Sequence, residues 1–310
     1  MRASHLHAYG PPDRLHIHEV PRPVPADGEI LVRVHAAGVN AIDWKIRAGY
    51  LKDSIPYQLP LILGLDFSGV AEGREDTGEI EVYGRIDLMR LGTYAEYVVA
   101  RAGEFTARPA SIDHVHAAAV PLAALTAWQG LIAGSGGAPS LGIAAGQRVL
   151  IHGAAGGVGS MAVQLARWRG AEVVATASAE DIEFVRGLGA DRVIDYKAER
   201  FEDVAGPVDA VFDVIGGETQ ARSWKLIRKA GALASTMGQP PDDQAAARGV
   251  RAIGVNAVTD TDQLDEIAEL IDEGALRPAV SEVFSLADAA KAHAQLEAGR
   301  VQGKVVLRIA

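Results

Sequence analysis

Gln147-Arg148-Val149-Leu150-Ile151-His152-Gly153-Ala154-Ala155-Gly156-Gly157-Val158-Gly159-Ser160 decides the fold of this chain. A short apolar run passes through a glycine-rich turn into an amphipathic stretch carrying Val158, Met161, Ala162, Leu165 and Ala166. Strand, loop and helix in that order open a dinucleotide-binding βαβ unit. Glycine lets the backbone approach a diphosphate with no Cβ in the way. The helix start behind it offers free N–H groups and a partial positive charge. This reading puts dinucleotide contacts at Gly153, Ala155, Gly156, Gly157, Val158 and Gly159.

Working outward, residues 121–258 alternate strand and helix. Strands are predicted over 172–176, 192–196, 208–214, 231–236 and 249–258, with helices over 181–186 and 218–229. Such alternation predicts a parallel sheet with helices on both faces, an α/β, doubly wound arrangement. Residues 1–120 show β-type alternation instead, around 15–18, 30–34, 69–70 and 94–99. Pro21, Pro23 and Pro25 separate the first two of these strands, because proline cannot fill a ladder position. Residues 259–310 predict a helix over 263–273, started by Asp260, Thr261 or Asp262 and stopped by Gly274, and a closing strand over 303–309.

The length of 310 residues fits two domains better than one, and a 48% hydrophobic content suffices for packed cores. No apolar run approaches the ~18 residues of a membrane span. The start, Met1-Arg2-Ala3-Ser4-His5-Leu6-His7, lacks the apolar centre of a signal peptide. A soluble, cytoplasmic protein without a membrane partner is the expectation. Lys and Arg total 30 against 40 Asp and Glu, a formal charge of −10 with no basic cluster, which argues against a nucleic-acid partner. There is no cysteine, so disulfides, thiolate metal sites and a cysteine nucleophile are excluded.

Several segments, in order along the chain, resemble the medium-chain dehydrogenase/reductase superfamily, in its zinc-independent quinone oxidoreductase (zeta-crystallin-like) branch. They are Ala37-Gly38-Val39-Asn40-Ala41-Ile42-Asp43 continuing to Arg47 and Gly49, Gly64-Leu65-Asp66-Phe67-Ser68-Gly69-Val70, Ala119-Val120-Pro121-Leu122 with Thr126-Ala127-Trp128, the glycine-rich turn, and Gly303-Lys304-Val305-Val306-Leu307. The resemblance implies a GroES-like β-barrel domain over 1–120, a Rossmann domain with a parallel sheet over 121–258, and a return to the first domain over 259–310. One stretch departs from the family pattern: Ala71-Glu72-Gly73-Arg74-Glu75-Asp76-Thr77-Gly78 is shortened between Gly69 and Gly92.

Alcohol dehydrogenases of this superfamily polarise a carbonyl with zinc held by soft or borderline donors. Here Asn40 and Leu65 stand where such ligands are expected. The pairs His5/His7, His16/His18 and His114/His116 are read as solvent-facing strand positions, so no metal is assigned. Cofactor choice is read at the end of the second strand, about 20 residues beyond the turn, where an acid would bind the 2′-hydroxyl of NAD. Thr176-Ala177-Ser178 is small and neutral there. Ser178 suits a 2′-phosphate, the resemblance places Tyr196 near the same phosphate, and Lys197 adds charge. Glu180 and Asp181 are read as stabilising the positive end of their own helix. NADPH is the expected cofactor.

The resemblance implies hydride transfer from the nicotinamide to a quinone or to the β-carbon of an enone, reactions that need few stabilising donors. It sets Asn40 and Thr126 near the nicotinamide and counts Lys304 among the cofactor-binding residues. Asn40 is taken to contact substrate or the carboxamide, and Tyr50 to donate to the developing oxyanion. Asp43 and Asp66 are read as structural, with Arg47 pairing one of them. Two alternatives stay open: an enoyl-thioester reductase like those of polyketide synthases, and a non-catalytic NADPH-binding protein. A strand near 251–258 at the sheet edge would pair with its mate in a homodimer.

Overall fold

The computed structural model describes residues 1–72, 79–299 and 301–310, so Gly73–Gly78 of the shortened stretch lie outside the described residues. The strands are β1 (Arg2–Leu6), β2 (Leu15–Glu19), β3 (Glu29–Val39), β4 (Leu61–Ile62), β5 (Asp66–Ala71), β6 (Ile80–Arg85), β7 (Tyr97–Arg101), β8 (Phe105–Ala107), β9 (Arg148–Ile151), β10 (Glu172–Ala177), β11 (Arg192–Asp195), β12 (Val208–Asp213), β13 (Ile227–Ser235), β14 (Arg251–Gly254), β15 (Val280–Ser285) and β16 (Lys304–Arg308). The helices are α1 (Ala41–Ala48), α2 (His114–Ala118), α3 (Pro121–Leu131), α4 (Gly157–Trp168), α5 (Ile182–Gly187), α6 (Phe201–Val204), α7 (Gly217–Ser223), α8 (Asp242–Arg248), α9 (Thr261–Asp272) and α10 (Ala289–Glu297).

Two units result. The first comprises Met1–Leu122, Thr259–Gly274 and Pro278–Ala310; the second comprises Ala123–Val258 and Ala275–Arg277. In the first unit, β3 is the organising strand. It pairs antiparallel with β5, β7 and β16, within a sheet ordered β15-β16-β3-β5-β6-β8. A smaller sheet runs β2-β1-β4. Val32, Val34, Leu63, Leu65, Phe67, Ile86 and Leu307 fill the core between them.

The second unit holds a parallel sheet ordered β11-β10-β9-β12-β13-β14. Val149, Leu150, Ile151, Val173, Val174, Val211 and Phe212 are fully buried. Unbroken apolar runs of this kind belong to strands covered on both faces, which is why the sequence reads as runs here and not as alternation. The strand order reverses between β9 and β12. In doubly wound sheets a ligand crevice opens at that reversal, outside the carboxyl ends of the strands.

Several boundaries differ from the sequence expectations. The helix predicted over 218–229 stops at Ser223, a single 3-10 turn carries Trp224 into the core, and β13 starts at Ile227. Ile227 pairs with Val208, and that β-branched pairing overrides the helix-like spacing of Lys225, Arg228 and Lys229. The final strand of this sheet is only Arg251–Gly254, because Gly249 closes α8 at φ 65°. Tyr94 precedes β7 and does not belong to it. Helix α10 and strand β15 were not expected; the alanine-rich 289–298 carries a narrow apolar face that single-sequence periodicity does not resolve. His114 and His116 sit on α2 and not on a strand.

Candidate functional site

In the second unit the glycine-rich turn joins β9 to α4 at the sheet reversal. Gly153 has φ 65°, and an added Cβ there would lie 2.7 Å from Val214. At Gly159 the constraint is distance: a Cβ would stand 2.1 Å from the Gly153 carbonyl oxygen, so the helix packs directly on the turn. Gly156 differs, since a Cβ would meet nothing nearer than that oxygen at 3.5 Å. No side chain caps the start of α4. The first N–H groups of a helix have no intrahelical acceptor. An uncapped helix start behind an unobstructed glycine suits a diphosphate, so the residues present fit a dinucleotide.

His152 anchors the turn from below. It is fully buried, with Nδ1 3.0 Å from Thr176 Oγ1, Nε2 2.9 Å from Ser223 Oγ, and its ring edge on Phe201. Burial holds its pKa down at about 4, opposed by Asp213 and assisted by Arg222, so it is neutral at physiological pH. Asp213 accepts from Ile215 and Gly216 N–H at 3.0 and 2.9 Å, fixing the loop after β12. In the sequence His152 stands only as the residue before Gly153, and its partners Thr176 and Ser223 lie 24 and 71 residues away.

Ser178 and Tyr196 follow adjacent strands β10 and β11, and the Tyr196 N–H donates to the Ala177 carbonyl at 3.2 Å, so the two are brought together. Tyr196 is 54% exposed, with Lys197 Nζ 5.8 Å from its ring centroid. Ser178 Oγ donates to Asp181 Oδ2 at 2.6 Å. Asp181 therefore does more than face its own helix end: its carboxylate sits on the hydroxyl assigned to the cofactor. Thr126 lies buried on α3.

The first unit contains a buried polar cluster. Asn40, at the junction of β3 and α1, donates from Nδ2 to Asp66 Oδ2 at 2.9 Å and accepts at Oδ1 from Lys304 Nζ. Lys304 also donates to the Val39 carbonyl at 3.1 Å and lies 3.6 Å from Asp66 Oδ2. Antiparallel register of β16 against β3 makes this meeting possible. Asp66 Oδ1 accepts the Leu122 N–H at 3.0 Å. Burial raises the pKa of Asp66, opposed by Lys304, and lowers that of Lys304, opposed by Asp66.

The cluster continues beyond what the sequence suggested. Asp43 Oδ2 accepts the Asn40 N–H at 2.8 Å and the Tyr94 hydroxyl at 3.0 Å, and that hydroxyl is 3.2 Å from His293 Nε2. Burial pushes Asp43 up to about 7, helped by Asp66, while it pushes His293 down to about 3. His293 was missed with its helix; a lone histidine on the face shared by Ala289, Ala292 and Leu296 was the available signal. Arg47 pairs with neither Asp43 nor Asp66. Its fully buried guanidinium donates to Glu297 at 2.6 Å and to the Gly10 carbonyl at 2.8 Å. Tyr50 is 74% exposed beside Trp44 and takes no part in the cluster.

Residues 26–110 match the family model described as "Alcohol dehydrogenase GroES-like domain", and 188–307 the one described as "Zinc-binding dehydrogenase". Among the described residues, no three His, Cys, Asp or Glu side chains are grouped to hold a metal ion. The chain is 33% identical to the mitochondrial NAD(P)H oxidoreductase RTN4IP1 of Bos taurus, over 91% of this chain and 82% of that one. It is 33% identical to the chloroplastic NADPH-dependent alkenal/one oxidoreductase of Arabidopsis thaliana, over 91% and 72%. The quinone oxidoreductase structure from Coxiella burnetii superposes with a TM-score of 0.90 at 32% identity, covering 100% of this chain and 99% of that one. With its GroES-like and Rossmann-type units, the chain belongs to the medium-chain dehydrogenase/reductase family, in the quinone oxidoreductase-like branch, and is an oxidoreductase.

Proposed function

We propose that this chain is an NADPH-dependent reductase that delivers a hydride to a quinone or to the β-carbon of an α,β-unsaturated carbonyl, with no metal involved. One observation carries the cofactor half of this reading: α4 starts uncapped behind Gly156, where nothing blocks the approach of a diphosphate. The names of the relatives support the acceptor half, one an alkenal/one oxidoreductase and one a quinone oxidoreductase. When bound, the nicotinamide supplies the hydride. Backbone N–H groups of Gly157, Val158 and Gly159, with Gly153, Ala155 and Gly156 shaping the turn, hold the diphosphate. Ser178 and Tyr196 take the 2′-phosphate. Thr126 and Lys304 serve the nicotinamide side, Lys304 by orienting the Asn40 amide. Asn40 directs substrate or carboxamide, and Tyr50 donates to the oxyanion. Edge-to-edge pairing of β14 with a second copy would give a homodimer, read out by sedimentation equilibrium.

No described helix is long and apolar enough to cross a membrane. Residence in the cytoplasm belongs to the same proposal and is checked by imaging the tagged protein in its own cell. The decisive assay follows NADPH consumption with 1,4-benzoquinone, 9,10-phenanthrenequinone, 2-alkenals and crotonyl-CoA in turn. Turnover of quinones or alkenals is expected. Tight NADPH binding without turnover of any acceptor overturns the enzymatic reading, and preference for crotonyl-CoA replaces it with a thioester reductase.

A further inference from the structure

Four of the nine histidines lie within residues 5–18, as His5-Leu6-His7 and His16-Ile17-His18. Alternate residues of a strand point to one face, and directly paired residues share it. The β1–β2 register sets His5 opposite His16, so both motifs present their imidazoles on the same side of the small sheet. The rings of His5, His7 and His18 have pairwise centroid separations of 5.7, 5.5 and 4.7 Å. His7 Nε2 and His18 Nε2 face each other at 3.1 Å, and both rings are exposed. Among the described residues, His5 Nε2 is buried with no hydrogen-bond partner.

Two imidazole nitrogens bound to one metal at ~2.0–2.1 Å stand about 3.0–3.4 Å apart, depending on the angle at the ion. The His7–His18 separation falls in that range. We propose that His7 and His18, flanked by His5, form a surface site for a late first-row divalent ion such as Cu²⁺, Ni²⁺ or Zn²⁺. Two imidazoles suit these borderline ions, with Cu²⁺ bound most tightly, and water completes the coordination. The ion would clip the end of β1 to β2.

The competing explanation is a plain hydrogen bond between two neutral rings, which needs no ion. Calorimetric titration of tag-free, chelator-treated protein with CuCl₂ and ZnCl₂ separates the two. Expected are one equivalent of ion at micromolar affinity, tighter for Cu²⁺, and a melting temperature raised by the ion. H7A and H18A should each weaken binding at least tenfold, while H116A, at an exposed histidine elsewhere, leaves it unchanged. Both tested side chains are exposed, so their melting temperatures in chelator should match the parent and exclude misfolding. The proposal is overturned by no binding in the parent protein, by equal binding in the H7A/H18A double variant, or by MgCl₂ binding as tightly as ZnCl₂.

Discussion

At the scale of single residues, the glycine-rich turn separates two kinds of requirement. At Gly159 an alanine Cβ would collide with the Gly153 carbonyl, so α4 must shift off the turn. At Gly156 the same change meets nothing nearer than the Gly153 carbonyl oxygen at 3.5 Å, so its effect falls on the diphosphate proposed to lie against that turn. Gly159→Ala should therefore lose about 1–3 kcal/mol of stability as well as cofactor affinity. Gly156→Ala should melt like the parent while its NADPH dissociation constant rises about tenfold or more; equal melting and equal affinity in both variants would refute the distinction. Asp181 makes a second case. Its carboxylate on Ser178 brings negative charge to the place proposed for a 2′-phosphate. A like charge a few ångströms away at a solvated surface opposes binding by about 1 kcal/mol. Asp181→Asn is expected to lower KM for NADPH several-fold and leave KM for NADH nearly unchanged, which steady-state kinetics with both nucleotides would check.

At the scale of elements, the sequence disclosed whatever repeats locally. β9, the glycine turn and α4 were legible because each residue class there answers to a local rule of apolar run, turn or amphipathic spacing. The end of α7 was not, because Ile227 becomes strand only through pairing with Val208 on β12. The polar cluster of the first unit was half legible. Asn40, Asp43, Asp66 and Lys304 were singled out, yet their convergence depends on the register of β16 against β3, and no local pattern encodes it. Arg47 was assigned to a nearby aspartate, and its true partner Glu297 is 250 residues away at the end of α10. Helix α10 also supplies His293, which the Tyr94 hydroxyl links to Asp43 on α1. Removing the Tyr94 hydroxyl would strip a donor from Asp43 and a partner from His293, both fully buried. Tyr94→Phe should destabilise the protein by about 1–3 kcal/mol in urea unfolding. A change below about 0.5 kcal/mol would mean that the hydroxyl does not tie α10 to α1.

At the scale of the whole molecule, buried titratable groups give the two units different responses to acid. In the second unit His152 has a folded pKa of about 4, below the ordinary histidine value of 6.5. Between those values the unfolded chain binds the proton and the folded one does not. Stability is therefore full above pH 6.5 and falls as pH drops towards 4, by up to about 1.4 kcal/mol per pH unit. In the first unit His293, held at about 3, acts in the same direction over pH 6.5 to 3. Asp43 acts oppositely. Its folded pKa of about 7 lies above the ordinary 3.8, so the folded state takes the proton first and gains stability as pH falls from 7 to 4. In the first unit the gain at Asp43, joined by Asp66, opposes the losses at His293 and at the partly buried His5, His35 and His114, whereas among the described residues of the second unit no raised carboxylate opposes His152. Acidification from pH 7 to 5 should thus loosen the second unit first. Hydrogen exchange resolved by mass spectrometry should speed up in peptides covering β9 and β10 while those covering β3 and β5 stay protected. Tryptophan fluorescence should follow mainly the former, since Trp128, Trp168 and Trp224 belong to the second unit and Trp44 alone to the first. His152→Gln, which cannot titrate, should flatten the response between pH 6.5 and 4. Equal acceleration in both units, or an unchanged acid response in that variant, would show that His152 is not what makes the second unit acid-sensitive.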